Sequence, residues 1–185
     1  MATQNREERK AQIVEVLNKA RSMELQAIHQ YLNQHYNLDN LDYGDFALKL
    51  KLVGLDEMRH AEKFADRIEE LGGQPTVDSA AKAIKGQKVE EVFGFDANLE
   101  DNTIATYNEF LAVCRENGDS ISAKLFELII DEEQIHYNYF DNVSQHIKDL
   151  GGTYLATIAG TPSSTGLASQ GFVIRFGGGS APGGA

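Results

Sequence analysis

Apolar residues recur along most of the chain in alternating steps of three and four, which is the period of an α-helix that buries one face. Four long segments show this pattern and contain few helix breakers, and they cover about residues 5–36, 41–71, 96–116 and 120–150. The segments are separated or ended by the turn-forming runs NLDNLD, GGQP, NGD and GG. The pattern predicts an all-α protein with four long helices.

The connections between these helices predict their arrangement. The first and third connections are short, so helices one and two, and helices three and four, should form antiparallel hairpins. The connection between the hairpins, residues 74–95, has 22 residues and reaches about 70 Å when extended. Because the second helix is only about 46 Å long, this connection can cross the whole bundle. We therefore predict a four-helix bundle with one long crossover connection.

The C-terminal part of the chain has a different character. Residues 153–159 read TYLATIA, which predicts one or two further helical turns and thus a short C-terminal helix. From residue 161 the chain is rich in Gly and Ser and ends GGGSAPGGA. This segment has no packing pattern. We expect one domain over residues 1–160 and a surface-running or flexible tail over residues 161–185.

Acidic residues and histidines interrupt the apolar seams of all four predicted helices. The first and third seams each contain one glutamate, and the second and fourth each contain a glutamate followed by a histidine three residues later. The interrupting residues are Glu24, Glu57, His60, Glu100, Glu133 and His136. Residues three apart share a helix face, so each Glu-x-x-His pair can reach the same metal ion.

The spacing of these residues predicts that they meet. Glu24 and Glu57 lie equally far from the first turn, and Glu100 and Glu133 lie equally far from the last turn. A constant offset of 76 residues relates the first hairpin to the second, and it also relates Tyr31 to Tyr107. This regularity predicts a pseudo-two-fold axis between two equivalent metal positions.

The charges indicate which ligand the site takes. Four carboxylates buried together need compensation, because an unpaired buried charge is very costly. No Lys or Arg lies on these parts of the seams, so metal cations are the natural partners. One imidazole per metal with several carboxylates suits iron or manganese better than zinc. Two single glutamates with two Glu-x-x-His motifs are the recognised ligand pattern of ferritin-like di-iron proteins.

Three segments carry a resemblance to a known family. MELQAIHQYLNQ (23–34), DEMRHAEKFADRIEELGG (56–73) and DEEQIHYNYF (131–140) closely resemble bacterioferritin. The resemblance implies a ferritin-like fold, a hollow cage of 24 subunits, and ferroxidase activity with dioxygen or hydrogen peroxide as the oxidant. It implies two iron ions per subunit at the six residues named above, with Glu57 and Glu133 bridging them. Tyr31 matches the catalytic tyrosine beside that site. The charged N-terminal segment and the lack of an apolar run of membrane-spanning length separately lead us to expect a cytoplasmic protein.

The same resemblance implies a haem site. Met58 follows Glu57 directly, so it projects about 100° away from the metal seam, and its own face is otherwise small and apolar: Gly54, Ala61 and Ala65. In bacterioferritins one methionine from each of two subunits binds a haem on the dimer axis. We therefore expect Met58 to bind haem b or a related iron porphyrin, one per subunit dimer, with an electron-donor protein for iron release.

Composition narrows the alternatives. The formal net charge is −11, which disfavours nucleic acid and anionic membranes as partners. The single cysteine, Cys114, excludes a cysteine-rich iron domain of the rubrerythrin type. The N-terminal segment is charged and does not read as a signal peptide. A manganese catalase-like site, a haem-binding electron-transfer assembly with an idle di-metal site, and a metal-free helical scaffold remain open.

Two positions depart from the pattern of some bacterioferritins. Leu52 stands where those relatives have a histidine on the cavity side of helix two. Tyr139 stands where they have a tryptophan three residues past the last histidine ligand. An inner-surface iron site through that histidine is not expected here, and a radical or electron relay at residue 139 would have to use tyrosine.

Overall fold

The computed structural model of the protein describes residues 2–161, with side chains from residue 5 onwards. Within this range the chain is helical and has no strand. The five helices are α1 (Ala2–Asn40), α2 (Gly44–Glu70), α3 (Val89–Glu116), α4 (Ser120–Leu150) and α5 (Gly152–Ile158). The four long helices form two hairpins, α1 with α2 and α3 with α4. The predicted four-helix bundle with a short C-terminal helix is therefore confirmed.

The interior of the bundle consists of two apolar clusters. One lies at the end where α1 and α2 are joined and contains Phe46, Phe93 and Phe140. The other lies at the opposite end and contains Leu17, Phe64 and Phe126. The buried glutamates and histidines separate these clusters along the helices. The apolar seams therefore hold the bundle together on both sides of a polar layer.

The crossover connection runs along α1 from one end of the bundle to the other. Near its start, Asn18 donates a hydrogen bond to the Gln74 carbonyl (3.1 Å). Near its end, Gln30 accepts from the Ile84 amide (2.7 Å), and its Nε2 donates to Gln87 Oε1 (3.0 Å). Polar side chains on this face of α1 thus satisfy backbone groups of a segment that has no regular structure.

A salt bridge between Arg67 and Asp119 joins the two hairpins at the end of the bundle opposite the turn between α1 and α2. Asp119 caps α4 by accepting hydrogen bonds from the Ile121 and Ser122 amides, as expected for an N-cap aspartate. The same carboxylate accepts two hydrogen bonds from Arg67 Nη2 of α2, at 3.0 and 2.9 Å. Partial burial alone would raise the pKa of Asp119, but hydrogen bonds from Ser122 and Arg67 outweigh this effect and lower the pKa.

Two helix limits differ from the prediction by four residues or more. α1 continues to Asn40, past the predicted end at residue 36, because Leu38 extends its buried face. α3 begins at Val89 instead of residue 96, because Val92 and Phe93 already pack in the core. The limits of α4 agree with the prediction. The tail predicted over residues 161–185 lies outside the described residues, apart from Thr161.

Candidate metal centre

The six predicted ligand residues lie in the middle of the bundle and are all buried. One glutamate comes from α1 and one from α3, while α2 and α4 each contribute a glutamate and a histidine. The most exposed of the six, His136, is only 6% exposed. Each side chain occupies a position of the buried seam, so the periodicity that makes the helix amphipathic also directs the polar group inwards.

The six residues form two overlapping groups. Glu24, Glu57, His60 and Glu133 make one group, and Glu57, Glu100, Glu133 and His136 make the other. Within each group, one ligand atom per residue lies within 4.8 Å of all the others. Glu57 and Glu133 belong to both groups. The geometry therefore provides two adjacent metal positions that share two carboxylates and have one terminal glutamate and one histidine each.

The inner nitrogens of both imidazoles face the shared carboxylates. His60 Nδ1 lies 2.9 Å from Glu57 Oε2 and 3.0 Å from Glu133 Oε1. His136 Nδ1 lies 3.0 Å from Glu133 Oε2 and 3.1 Å from Glu57 Oε1. Oε1 of each shared carboxylate is buried and makes no hydrogen bond of good geometry, although an imidazole Nδ1 lies 3.0 or 3.1 Å away. Buried carboxylate oxygens that protein donors do not satisfy, close to two imidazoles, fit a site built for cations.

Protons balance these charges in the metal-free site. Burial and the neighbouring Glu133 and Glu57 carboxylates raise the pKa of Glu24 and of Glu100 well above the ordinary value. Burial opposes the charged imidazolium, but hydrogen bonds with Glu133 and Glu57 raise the pKa of His136 to about 10. Burial likewise opposes a charged Glu57, yet hydrogen bonds from the two histidines lower its pKa to about 2. Without a metal, these groups therefore carry protons, which a bound metal would displace.

Two buried tyrosines hold the terminal glutamates. The Tyr31 hydroxyl of α1 donates a hydrogen bond to Glu100 Oε1 of α3. In the opposite sense, the Tyr107 hydroxyl of α3 donates to Glu24 Oε1 of α1. Burial and the adjacent carboxylates raise the pKa of both phenols well above the ordinary value, so both remain protonated donors. Tyr107, which the 76-residue offset relates to Tyr31, therefore makes the equivalent hydrogen bond on the other side of the site.

The outer nitrogens of the two imidazoles have different surroundings. His60 Nε2 donates to Glu132 Oε2 at 2.8 Å, and Lys63 Nζ donates to the other Glu132 oxygen at 3.1 Å. His136 Nε2 lies 3.6 Å from Asp56 Oδ2, which is beyond hydrogen-bond distance. Asp56 is engaged by Arg59 of its own helix. The sequence analysis missed Glu132, although the 76-residue offset relates it to Asp56.

Met58 lies outside this site, in a groove between α1 and α2 that we name the α1–α2 groove. The groove encloses about 820 Å³, and the Met58 side chain is 50% exposed within it. Its apolar lining is formed by Leu25, Ile28, Leu32, Leu55, Met58, Ala61 and Ala65. Its polar lining is formed by Arg21, His29, Arg59 and Glu62. Gly54 is not part of the lining, because a side chain there would meet Tyr31 and Leu32 of α1.

The two departures from the family pattern also have structural consequences. Leu52 and Tyr139 both line a second cavity, of about 370 Å³, between α2 and α4 beside His136. Tyr139 packs against Phe93 and Phe140, and burial raises its pKa. The cavity thus has an apolar wall where a histidine would add a metal ligand.

The fold and the six clustered residues together define a ferritin-like protein with a candidate di-metal carboxylate site. The model of the ferritin-like domain family matches residues 14–150. A bacterioferritin of Desulfovibrio desulfuricans is 61% identical over 169 residues, which cover 91% of this chain and 94% of that relative. A bacterioferritin of Streptomyces coelicolor is 33% identical over 148 residues, 80% of this chain and 89% of the relative. The chain therefore belongs to the bacterioferritin family.

Solved structures agree with this assignment. The X-ray structure of the Desulfovibrio desulfuricans bacterioferritin, described as having a di-iron site in different catalytic states, superposes with a TM-score of 0.88 over 91% of this chain and 98% of that chain. The bacterioferritin BfrA of Mycobacterium tuberculosis, 31% identical, superposes with a TM-score of 0.75 over 80% of this chain and 93% of its own. None of the described helices has the length and apolar character that crossing a bilayer requires.

Proposed function

We propose that this protein stores iron and is a ferroxidase, which oxidises Fe²⁺ to Fe³⁺ at a di-iron centre within each subunit. One observation carries the proposal: four glutamates and two histidines converge in the buried middle of the bundle as two groups that share Glu57 and Glu133. The donor set of carboxylates with one imidazole per metal suits iron. The relatives named bacterioferritin support the same activity.

The six residues have distinct roles in this proposal. Glu24 and His60 would bind one ferrous ion, Glu100 and His136 would bind the other, and Glu57 and Glu133 would serve both. Each Fe²⁺ would give up one electron to dioxygen or hydrogen peroxide, and the paired metals would stabilise the charge that develops on the oxidant. Because the two groups of residues share two carboxylates, the two ions would be held together and both electrons could pass to the same oxidant.

Tyr31 is the catalytic residue that we place beside the metals. Its hydroxyl holds a proton against Glu100 Oε1, so the phenol orients a terminal ligand of the second iron position. Its ring is fully buried and packs against the buried Phe140, which excludes water. An electron withdrawn from Tyr31 would leave together with this proton, for which Glu100 is the adjacent acceptor.

We place the ferric product inside a cage of 24 subunits in the cytoplasm. The cage would keep the ferric mineral apart from the surrounding solution, and the net charge of −11 favours the approach of Fe²⁺. Neither nucleic acid nor a membrane is a partner in this proposal. An electron-donor protein would reduce the stored mineral when iron is released.

The α1–α2 groove fits a haem shared between two subunits. It is large, mostly apolar and open, with the Met58 thioether exposed within it. Met58 from each of two subunits would bind haem b or a related iron porphyrin, and Arg21 and Arg59 of the lining would supply positive charge for its carboxylates. When bound, the haem would supply electron exchange between the donor protein and the stored iron.

The experiment that tests the proposal is stopped-flow oxidation of Fe²⁺ by the purified assembly. We expect rapid oxidation of two Fe²⁺ per subunit by the wild type. Glu57→Ala removes a bridging ligand, so we expect its initial rate to fall by about 100-fold or more, beyond the 10- to 100-fold that changes outside the ligand set typically cause. Oxidation at the wild-type rate by this variant would overturn the proposal.

Two further measurements separate the alternatives. Metal analysis of the purified protein distinguishes iron from manganese, which the same ligands suit. The mass of the native particle tests whether the cage has 24 subunits. The haem absorption tests whether a porphyrin is bound. A haem-containing particle whose wild type does not oxidise Fe²⁺ would leave the electron-transfer assembly with an idle site as the better description.

A further inference from the structure

The two histidines of the metal centre are held unequally. The ring of His60 is fixed on both sides, by the shared carboxylates at Nδ1 and by Glu132 at Nε2, 2.8 Å away. His136 has the same contacts at Nδ1, but its Nε2 lies 3.6 Å from Asp56 and has no hydrogen bond among the described residues. The inner ligand sets are alike, so the asymmetry arises outside them.

The contacts of Glu132 connect two helices. Its carboxylate belongs to α4, while His60 and Lys63, which donate to its two oxygens, belong to α2. Both oxygens are therefore occupied, and the carboxylate has a fixed orientation towards the imidazole. Asp56, its counterpart at the 76-residue offset, binds Arg59 on its own helix instead. Arg59 is 66% exposed, and both residues of this pair belong to α2, so the pair makes no connection to α4.

A carboxylate at the outer nitrogen of a metal-binding histidine has a known physical effect. It keeps the proton on that nitrogen, leaves the other nitrogen free to coordinate, fixes the plane of the ring and increases the basicity of the ligand. His60 meets this condition through Glu132. His136 does not, and its ring also borders the open cavity of about 370 Å³ between α2 and α4.

We propose that Glu132, held by Lys63, is a positioning residue that makes the metal position of Glu24 and His60 the tighter of the two. This inference rests on the proposed function, because it assumes that the six residues bind two metal ions. The position of Glu100 and His136 then fills second and exchanges its metal faster. Glu132 contributes through His60 and does not itself touch the metal.

The test measures metal binding and not turnover. Co²⁺, a spectroscopic substitute for Fe²⁺, is titrated into the metal-free assembly against a competing chelator, and crystals with less than one Co²⁺ per subunit are analysed by anomalous scattering at each position. We expect the wild type to fill the Glu24–His60 position first. Glu132→Ala should weaken that position by about 10- to 100-fold and leave the other within about threefold of the wild type.

Matched variants sharpen the result. Glu132→Gln keeps a hydrogen-bond acceptor for His60 Nε2, so it should recover most of the lost affinity. Lys63→Met removes only the support of Glu132 and should have a smaller effect than Glu132→Ala. Asp56→Ala, at the counterpart position, should change neither affinity by more than about threefold. The Glu132 side chain is 44% exposed, so these variants are expected to fold, as thermal unfolding would verify.

Three outcomes would count against these proposals in different ways. Unchanged affinity and filling order in Glu132→Ala would overturn the inference while leaving the proposed function intact. An equal loss in Asp56→Ala and Glu132→Ala would also overturn it, because the two positions would then be equivalent. A wild type that binds no pair of Co²⁺ ions at the six residues would overturn the proposed function, and this inference with it.

Discussion

The two hairpins of this bundle resemble each other in the metal centre and differ elsewhere. Every ligand in α1 and α2 has an identical residue 76 positions later in α3 and α4, and each of the paired tyrosines bonds the terminal glutamate of the other hairpin. Met58, by contrast, corresponds to the exposed Gln134, and the small Ala61 corresponds to Tyr137. The metal site thus needs both hairpins, whereas the open groove belongs to one.

This difference teaches how one repeated plan can serve two purposes. Residues that face the pseudo-two-fold axis must match, because two metals share the same bridging carboxylates. Residues that face outwards have no such constraint. In the first hairpin they leave the apolar α1–α2 groove, while the bulkier Tyr137 in the second hairpin lines a smaller cavity whose lining is largely polar and charged.

The largest expected effect comes from changing the α1–α2 groove, where the two hairpins differ. Met58→Leu keeps the apolar volume but removes the thioether that we propose as a ligand of the haem iron, so we expect haem content to fall to the background level. Gln134→Leu, at the corresponding position of α4, should keep the full haem content. The measurement is haem absorption per subunit in assemblies purified from cells that were grown with added haem. Full haem content in Met58→Leu would contradict the assignment of Met58.

The second prediction concerns protons in the metal centre. Hydrogen bonds with the carboxylates raise the pKa of His136 to about 10 despite its burial, and burial raises the pKa of Glu24 and Glu100. These groups hold protons at neutral pH, and a bound metal must displace them. Lowering the pH therefore favours the metal-free form, and affinity should fall about tenfold per pH unit for each proton displaced.

Calorimetric titration with Zn²⁺ checks this prediction in buffers of different ionisation enthalpy. The dependence of the apparent enthalpy on the buffer gives the number of protons released. Each hairpin contributes one terminal glutamate and one histidine whose pKa is raised, so release of more than one proton per subunit is expected. A binding enthalpy independent of the buffer would show that the empty site does not hold these protons.

The third prediction compares the two tyrosines. Tyr31→Phe and Tyr107→Phe each remove one hydrogen bond to a buried terminal glutamate, and losing such a bond costs about 1 to 3 kcal/mol. We expect both variants to lose metal affinity to a similar extent. Only Tyr31→Phe should also slow the oxidation of Fe²⁺ at saturating metal, by about tenfold for a loss of 1.4 kcal/mol. Equal oxidation rates in the two variants would remove the special role of Tyr31.

Much of this architecture could be predicted from the sequence because it repeats a local period. The start of α4 was correctly predicted at Ser120, where Asp119 provides a cap that is visible in the sequence. The predicted start of α3 at residue 96 was wrong. Gly94 interrupts the apolar pattern, but Val89, Val92 and Phe93 continue that pattern on its N-terminal side.

The contacts around the metal centre were less accessible from the sequence. The meeting of the six residues followed from equal distances to two turns, but the contact of Glu132 with His60 depends on side-chain orientation across two helices. The hydrogen bond from Tyr107 to Glu24 could have been predicted from its correspondence to Tyr31. The Gln34–Asp96 pair could not, because the offset relates those residues to Phe110 and Ala20.

The last prediction uses this broken correspondence. Gln34 Nε2 donates to Asp96 Oδ1 at 2.7 Å, while Asp96 Oδ2 and Gln34 Oε1 are buried without partners. The corresponding residues, Ala20 and Phe110, lie in or against the apolar cluster at the other end of the bundle. The fold therefore does not require a charge at this place, and burial raises the pKa of Asp96 well above its ordinary value.

Asp96→Asn should consequently stabilise the protein at neutral and higher pH. In the wild type, the folded state holds a proton on Asp96 at pH values where the unfolded state has lost it. Its stability therefore falls as the pH rises from about 3.8, the ordinary pKa, through the raised folded pKa. Asparagine carries no such charge and can donate to Gln34 Oε1. We expect a gain of about 1 kcal/mol at neutral pH, which disappears below about pH 4.

Urea unfolding of metal-free wild type and variant between pH 4 and 8 measures this difference directly. Both chains retain the six ligands, so the titration of the metal centre cancels when the two curves are subtracted. A stability difference that grows with pH supports a neutral Asp96 paired with Gln34. A constant difference would show that Asp96 has the same pKa in the folded and unfolded states. A variant that loses stability relative to the wild type as the pH rises would show instead that the Asp96 carboxylate is charged and stabilising, and that this end of the bundle needs the charge its counterpart lacks.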